Sequence, residues 1–201
     1  ERGENYRDNL PGSLQEIIGD TQWTSDSPRH NHLMDDFTVA SGSFEQYFQF
    51  RYQSGLEDQI TLVEGREPAP AEPVLLSTVD TLPEGIEDEP VQTFEVMIGR
   101  GTAEIKELEV GDYFALLPDN RDLLNRGAFR GYFEQHIAVH VVGIFEPVDP
   151  ESEFWYFDFR TFRTDVAASP EQTVHYSMGI PSPEVVAELQ ALNDPGSWRY
   201  S

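Results

Sequence analysis

The chain of 201 residues contains no cysteine. Disulfides, thiolate nucleophiles and cysteine-based zinc sites are therefore excluded. The absence does not locate the protein, because a domain of this size can fold without disulfides on either side of a membrane.

Positive charge is scarce. The chain has 13 Lys+Arg against 37 Asp+Glu, a formal net charge of −24, and Lys106 is its only lysine. Such a surface repels phosphate backbones and anionic lipid headgroups, which argues against nucleic-acid binding. The acidity indicates solubility or adaptation to a salty or extracellular medium. The alternative is an acidic docking face for a cationic partner.

Long apolar runs are also missing. No stretch approaches the roughly 18–20 apolar residues of a membrane span, and no signal-peptide pattern is visible. The chain begins at Glu1 and stops after Trp198-Arg199-Tyr200-Ser201 without an obvious ending. We therefore expect an excised fragment, whose missing targeting signals say nothing about the parent protein.

Nucleotide-binding and nucleophile motifs are absent. No G-x-S-x-G, Walker A or G-x-G-x-x-G sequence occurs. Ser41-Gly42-Ser43 and Gly99-Arg100-Gly101 are neither nucleophile elbows nor phosphate loops. An ATPase site is not expected in this chain.

Aromatic residues are plentiful, with 13 Phe, 8 Tyr and 3 Trp. A disordered chain would hold far fewer. The length suits one ordinary domain or two small subdomains.

The periodicity predicts short elements along the chain. A polar helix-to-loop segment is expected over 1–36, with Leu14, Ile17 and Ile18 at helical spacing, and an extended segment over 37–64. Proline-rich loops at 67–73 and 80–90 flank a short strand at 74–79. The tail, 183–192, is predicted to be an amphipathic helix that buries Val185, Val186, Leu189 and Leu192 on one side.

Residues 93–118 have the most regular pattern. They predict a strand at 94–98, a turn at 99–101, a helix at 102–108, a turn at 110–112 and a strand at 113–117. A helix or insert is expected over 119–135. A long strand follows at 137–147, in which Gly143 predicts a bulge or a close backbone approach.

This order of elements carries a resemblance to a known family. The strand 96–98, Ala103 and Leu108 of the short helix, Val110-Gly111-Asp112 and Val141-Val142-Gly143-Ile144-Phe145 stand in the order found in extracytoplasmic domains of FtsX-like ABC-transporter permeases. The turn Gly65-Arg66-Glu67-Pro68 and the segment 146–155, with Phe154 and Trp155, add to the match. The matching segments lie within roughly residues 56–160. This part of the chain resembles most the MacB-like periplasmic core domain of that family.

The resemblance implies an α+β fold of mixed sheets and short helices. It implies a single extracytoplasmic domain over 1–201, with a β-rich subdomain at 60–150 and a porter-like part from 1–59 and 151–201. It also implies a non-enzymatic role at the outer side of the cell membrane, either substrate handling or transmission of conformational change. Partners would be the protein's own membrane helices, a separate cytoplasmic ATPase, and an extracellular protein or substrate.

Two histidine pairs could hold a metal, but we assign no metal, cofactor or catalytic residue. His30 and His32 lie near Asp35 and Asp36 in a polar, acidic segment. His136 and His140 are four apart, which pairs ligands on a helix; the surrounding β-branched residues predict a strand, where they lie about 13 Å apart.

A second function class remains open from the residues alone. The aromatic run at 154–159 could stack on sugars, and paired acids for glycoside hydrolysis could be hidden among so many carboxylates. The alternative function is therefore a secreted carbohydrate-binding or glycoside-hydrolysing domain, although such a run is more often a core strand. A stand-alone β-rich interaction module is a third possibility.

Overall fold

The computed structural model describes residues 9, 11, 24–27, 29–33, 44–75, 90–118, 136–156 and 158–191. The strands in this part of the chain are β1 (Thr24–Asp26), β2 (His30–His32), β3 (Phe44–Gln53), β4 (Ile60–Gly65), β5 (Thr93–Gly99), β6 (Tyr113–Pro118), β7 (Ile137–Pro147), β8 (Asp165–Ala168) and β9 (Thr173–Pro181). The α-helices are α1 (Arg100–Lys106) and α2 (Val186–Ala191). Short 3-10 helices span Leu56–Asp58, Glu153–Trp155, Phe159–Thr161 and Pro183–Val185.

Six strands close into a barrel. The order around it is β3, β2, β6, β7, β5, β9, and β9 pairs back with β3. The pairs β5–β7 and β3–β9 are parallel, and the other pairs are antiparallel. Three further strands add to the wall from outside: β1 pairs with β3, β4 with β7, and β8 with β9.

The expected α+β fold of mixed sheets with a porter-like part is wrong, because the protein is mostly β and its main feature is this closed barrel. Strands from 24–53 and 173–181 pair directly with strands from the middle of the chain. Because the barrel is closed, each of its six strands is paired with a neighbouring barrel strand on both sides. The division into 60–150 and two flanks remains a prediction.

Alternation along the strands fills the barrel. On β3 the rings of Phe48 and Phe50 point inward, and Phe114 of β6 packs edge-on against Phe48. The inner core combines these rings with aliphatic side chains of the facing strands and of both helix segments: Val96, Ile98, Ala103, Leu116, Ile137, Val139, Val141, Ile144, Val185 and Leu189. The dense interior is what holds this barrel together.

A second core lies outside the barrel wall. It consists of Leu56, Met97, Phe145, Phe154, Trp155 and Ile180. Where a core strand was favoured for the aromatic run 154–159, the chain forms the 3-10 helix Glu153–Trp155, whose N-cap Ser152 accepts a hydrogen bond from the Phe154 backbone N–H. This short helix drives two large rings against the outer face of β5, β7 and β9.

The long strand β7 confirms the prediction for 137–147, including its irregularity at Gly143. Val96 pairs with Val141, but the next residue, Met97, pairs with Gly143, so Val142 is the extra residue of a bulge. A Cβ on Gly143 would lie 2.4 Å from the Arg66 carbonyl oxygen. Glycine is required there because the Gly65-Arg66 turn lies directly on the strand.

Other expectations are met in part. The strands predicted at 60–64, 94–98 and 113–117 are confirmed as Ile60–Gly65, Thr93–Gly99 and Tyr113–Pro118. The predicted helix exists but begins at Arg100, where a turn was expected. The tail is a 3-10 turn followed by α2, with Val185 and Leu189 buried as predicted.

Within 1–36, where helix or loop was expected, the described residues form β1 and β2. Val74 makes only an isolated bridge to Val91. The expectations for Leu14, Ile17, Ile18, 37–43, 76–79, 119–135 and Leu192 fall outside the described residues.

The close approach at Gly143 gives a stability prediction. Gly143→Ala should destabilise the fold by about 2 kcal/mol, because the new methyl meets backbone that cannot move aside. Gly101→Ala is the control: its methyl would lie 2.7 Å from Cγ of Arg163, so one side chain rather than backbone must shift, and alanine favours α1 by up to about 1 kcal/mol in compensation. It should therefore lose less stability than Gly143→Ala. Urea unfolding measures both; equal stability of the two variants would contradict the tight docking at Gly143.

Candidate functional site

Two turns dock on the bulge of β7. The Arg66 N–H donates to the Val142 carbonyl over 2.8 Å, and the Gly111 N–H donates to the Val141 carbonyl over 2.8 Å. The Val141 N–H returns a bond of 2.9 Å to the carbonyl of Asp112. The Gly-Arg turn, the Val-Gly-Asp turn and the Val-Val-Gly-Ile-Phe strand thus meet at one place, which we call the β7 junction (65–69, Glu95, 110–113 and 140–143).

The Val-Gly-Asp turn is built for its backbone. Gly111 has φ of 105°, and a Cβ there would meet nothing, so conformation rather than space requires glycine. The Asp112 carboxylate accepts a hydrogen bond of 2.7 Å from the Glu109 N–H. This closes the turn between α1 and β6.

An ion pair fastens the Gly-Arg turn to the sheet. Arg66 binds Glu95 with two hydrogen bonds, of 2.6 Å and 2.5 Å, and the Ala69 N–H donates to Glu95 over 2.9 Å. The Glu95 side chain is 9% exposed and that of Arg66 is 54% exposed. The hydrogen bonds from Arg66 lower the pKa of Glu95, overcoming the opposing effect of burial. Glu95 is therefore an anchored carboxylate rather than a proton donor at neutral pH.

Two rings complete the β7 junction. His140 stacks on Tyr113 with ring centroids 4.1 Å apart, and its Nδ1 lies 3.8 Å from a Glu95 oxygen. Burial, with the charge of Arg66, lowers the pKa of His140 although Glu95 opposes this. Burial and then the charge of Glu95 raise the pKa of Tyr113. At the β7 junction, the stacked rings of His140 and Tyr113 are uncharged at neutral pH, and they lie beside the Arg66–Glu95 ion pair. This arrangement holds strands together.

The first pair of candidate metal ligands, His30 and His32, lies on β2, apart from the β7 junction. His30 and His32 both point into the barrel from β2, where His30 packs edge-on against Phe50 and His32 stacks on Phe114. Asp35 and Asp36 are outside the described residues. No group of three His, Asp or Glu side chains in the described ranges is placed to hold a metal.

The other histidine pair follows the strand prediction. His136 immediately precedes β7 and His140 lies within it, so the two are not adjacent turns of a helix. His140 belongs to the junction through Tyr113 and Glu95.

Two acidic side chains near the aromatic run, Asp26 and Asp158, are bound to arginine. Asp26 and Asp158 both contact Arg51, at 2.7 Å and 2.8 Å, and Asp158 also binds Arg160 at 2.7 Å. Arg51 donates in addition to the Thr161 hydroxyl. This network ties the 158–161 segment to β1 and β3, and its carboxylates are already compensated.

The aromatic run divides between core and surface. Phe154 and Trp155 are buried, whereas Tyr156 is 58% and Phe159 37% exposed. The guanidinium of Arg163 lies 5.0 Å from the centre of the Phe159 ring. Phe157 lies outside the described residues. Gly99-Arg100-Gly101 begins α1 rather than cradling a ligand, and Ser41-Gly42-Ser43 is not described.

A cluster inside one end of the barrel escaped the sequence analysis. Gln46 of β3 is paired with His175 of β9, and the register of β2 with β3 places His32 opposite Gln46 on the other side. The Lys106 ammonium, at the end of α1, donates to the Gln46 amide oxygen. We call these four side chains the polar layer. Its one sequence signal is that Lys106 is the only lysine.

The polar layer contains three bases and no acid from the described part of the chain. Burial lowers the pKa of Lys106 to about 7. Burial also lowers the pKa of His32, and the charges of Lys106 and His175 add to that effect. The pKa of His175 falls for the same reasons, burial first and then Lys106.

No protein-family model matches the chain, and no match was found among curated proteins. In the described ranges, neither helix has the length and apolar character needed to cross a membrane.

The pairing of Glu95 with Arg66 predicts a loss of folding stability on mutation whose size depends on pH. Glu95→Gln should destabilise the fold by about 1.5 kcal/mol at pH 7, because it removes the charge of a buried carboxylate that accepts hydrogen bonds from Arg66 and from the Ala69 N–H. Since the folded-state pKa of Glu95 is lowered, its stabilisation is present above its ordinary value of 4.5 and disappears as the pH falls through the folded value. Urea titrations over a pH series should show the full penalty at pH 7 and a penalty that shrinks steadily as the pH is lowered below 4.5.

Glu146→Gln is the control for that measurement. Glu146 also binds an arginine, Arg100, at 2.6 Å, but both side chains are about half exposed. Exposed pairs contribute about 0.5 kcal/mol or less. If the two glutamine variants lost equal stability, the anchoring role of Glu95 would be refuted.

Lys106 also predicts that stability rises with pH, but in a higher pH range and because burial destabilises its charged form. Its folded-state pKa is about 7 against an unfolded value near 10.5, so the unfolded chain holds the extra proton between these values and stability rises with pH. The slope is at most about 1.4 kcal/mol per pH unit from pH 7 to 9. Lys106→Met should flatten that rise. An unchanged slope in the variant would show that the ammonium is not desolvated.

Proposed function

We propose that the chain is the extracytoplasmic domain of an FtsX-like ABC-transporter permease, acting without chemistry of its own on substrate handling or on transmission of motion. The observation that carries the proposal is the β7 junction. Three pieces of the sequence resemblance meet there: the Gly-Arg turn and the Val-Gly-Asp turn are each hydrogen-bonded to the Val-Val-Gly-Ile-Phe strand. Chance matches scattered over roughly a hundred residues need not meet in space.

The physical roles of these segments of the β7 junction support a mechanical function for the domain. Gly111 supplies a turn conformation, Gly143 supplies close approach, and Glu95 anchors Arg66. Because β4, β6 and β7 are bonded through the junction, displacement of one element displaces the others. A densely filled barrel moves as a unit, and such a body can pass a displacement from one attachment to another.

The partners in this proposal follow from the family. The domain would be tethered to its own transmembrane helices at the outer face of the cell membrane and driven by a separate cytoplasmic ATPase subunit. With a net charge of −24, a cationic extracellular protein or substrate is favoured over an anionic one at long range.

Fewer observations support the alternative function, a carbohydrate-binding or glycoside-hydrolysing domain. Tyr156 and Phe159 are exposed rings, but Phe154 and Trp155 from the same run are core residues. The adjacent carboxylate, Asp158, is bound to Arg51 and Arg160. A retaining or inverting glycosidase needs two carboxylates available to the sugar.

Fractionation of the natural gene product tests the proposal. Antibodies against this chain, applied to cells of the source organism, should detect a polypeptide that sediments with membranes and resists alkaline carbonate extraction. Protease added to intact cells or spheroplasts should cleave it, because the domain faces outward. Co-purification in mild detergent should recover an ABC ATPase.

The control is a cytoplasmic protein that stays intact in the same protease treatment. A polypeptide found in the cytosol, or secreted free of membrane, would contradict the transporter proposal. In the secreted case, binding to polysaccharides would be tested next on Tyr156→Ala and Phe159→Ala variants.

A further inference from the structure

The polar layer combines features that need an explanation. In a chain of net charge −24, the single lysine contacts an amide, Gln46, and is paired with no carboxylate of the described residues. Four of the six described arginines, Arg51, Arg66, Arg100 and Arg160, bind a carboxylate instead. Buried or half-buried cations are ordinarily paired, because desolvating an unpaired charge is unfavourable.

Polar atoms next to Lys106 also lack partners. Nδ1 of His32 and Nδ1 of His175 are inaccessible to solvent and make no hydrogen bond within the described residues. The Thr102 hydroxyl, buried one helical turn before Lys106 on the same face of α1, likewise has none. Buried groups of this kind are rare, and several in one region indicate a missing partner.

The strand register explains why these groups converge. Adjacent strands are about 4.8 Å apart, so His32, Gln46 and His175 form a row across β2, β3 and β9 on the inner face. The ring contacts of His32 with Phe114 and of His175 with Phe44 fix the two imidazoles on either side of Gln46. Lys106 covers the row from α1 and is itself half-buried.

We propose that the polar layer is a binding site for an oxyanion, a carboxylate or phosphate group of a small ligand, with the Lys106 ammonium as the main contact and His32 and His175 as flanking donors. The class of ligand follows from the donors: three nitrogen bases, an amide and no carboxylate among the described residues. Protonated amine and imidazole groups are strong hydrogen-bond donors to such oxygens. The proposal does not depend on the transporter function.

Binding of an oxyanion to the polar layer should be accompanied by proton uptake by its three bases. Among the described residues, the groups facing Lys106 are His32 from β2, His175 from β9 and the neutral Gln46 from β3. A bound anion would add a negative charge that none of these groups supplies. An anion favours the protonated forms of all three bases. Affinity should therefore be higher at pH 6 than at pH 8.

The single lysine makes the test direct. In protein labelled with [¹³Cε]lysine, one side-chain resonance arises, from Lys106, and its pH titration gives the pKa of that amine. Sodium phosphate and sodium acetate are added in separate titrations, each compared with sodium chloride at equal ionic strength. We expect a saturable shift with at least one oxyanion, and a rise of the apparent pKa of about one unit that chloride does not produce.

Variants assign the site. Lys106→Met and His32→Gln, checked for folding by circular dichroism, should weaken affinity at least tenfold in calorimetry, whereas Arg160→Gln should change it less than twofold. Arg160 is the control because it binds Asp158, which also contacts Arg51. Arg51 lies five residues along β3 from Gln46, about 16 Å in an extended strand. Binding of phosphate alone or acetate alone supports the proposal and names the ligand group.

Two results would overturn the proposal. One is a Lys106 resonance that responds to phosphate and acetate no more than to chloride in the unaltered protein. The other is oxyanion binding that Lys106→Met leaves unchanged while the variant is folded. The first readout needs no variant, so loss of folding in Lys106→Met cannot hide a negative result.

Discussion

The pairing of β3 with β9 is the interaction on which the rest of the structure depends. It joins Phe44–Phe50 to Thr173–Gly179 in parallel register, far apart in the chain, and converts a curved sheet into a closed barrel. Gly179 permits it, since a Cβ there would lie 2.5 Å from the Phe48 ring. The entropy lost in closing so long a loop is offset by the aromatic core that closure completes. The same register sets His175 beside Gln46, so the polar layer exists only in the closed form.

The wall of the barrel serves two purposes because strand residues alternate between faces. On β7, Val141 fills the interior while His140 belongs to the β7 junction outside. On β5, Val96 is inside and Glu95 anchors Arg66 outside. A compensated ion pair thus lies on the outer surface, and uncompensated bases lie within. The contrast matches the two roles proposed here: attachment and transmission at the junction, recognition of an anion in the layer.

Much of the local structure could be predicted from the sequence, but the architecture could not. β-branched runs and Gly143 were sufficient for β7 and its bulge, and Gly111 for its turn, because each depends on neighbouring residues. The barrel was missed because β2, with His30, Asn31 and His32, has no apolar alternation and looked like a polar loop. Its inward histidines are accepted only because Phe50 and Phe114 cover their rings. The polar layer required the β3–β9 register, which no local pattern contains.

The central structural claim is the closed barrel, and backbone NOEs between β3 and β9 test it most directly. In ¹⁵N,¹³C-labelled protein, this account predicts cross-strand contacts between Gln46 and His175 and between Phe48 and Ser177, with the rings of Tyr47 and Tyr176 stacked near 5.5 Å. These contacts should appear together with those of β2 to β3. If β3 and β9 showed no mutual NOEs while β5, β6 and β7 remained paired, the sheet would be open, and the polar layer derived from its closure would not exist.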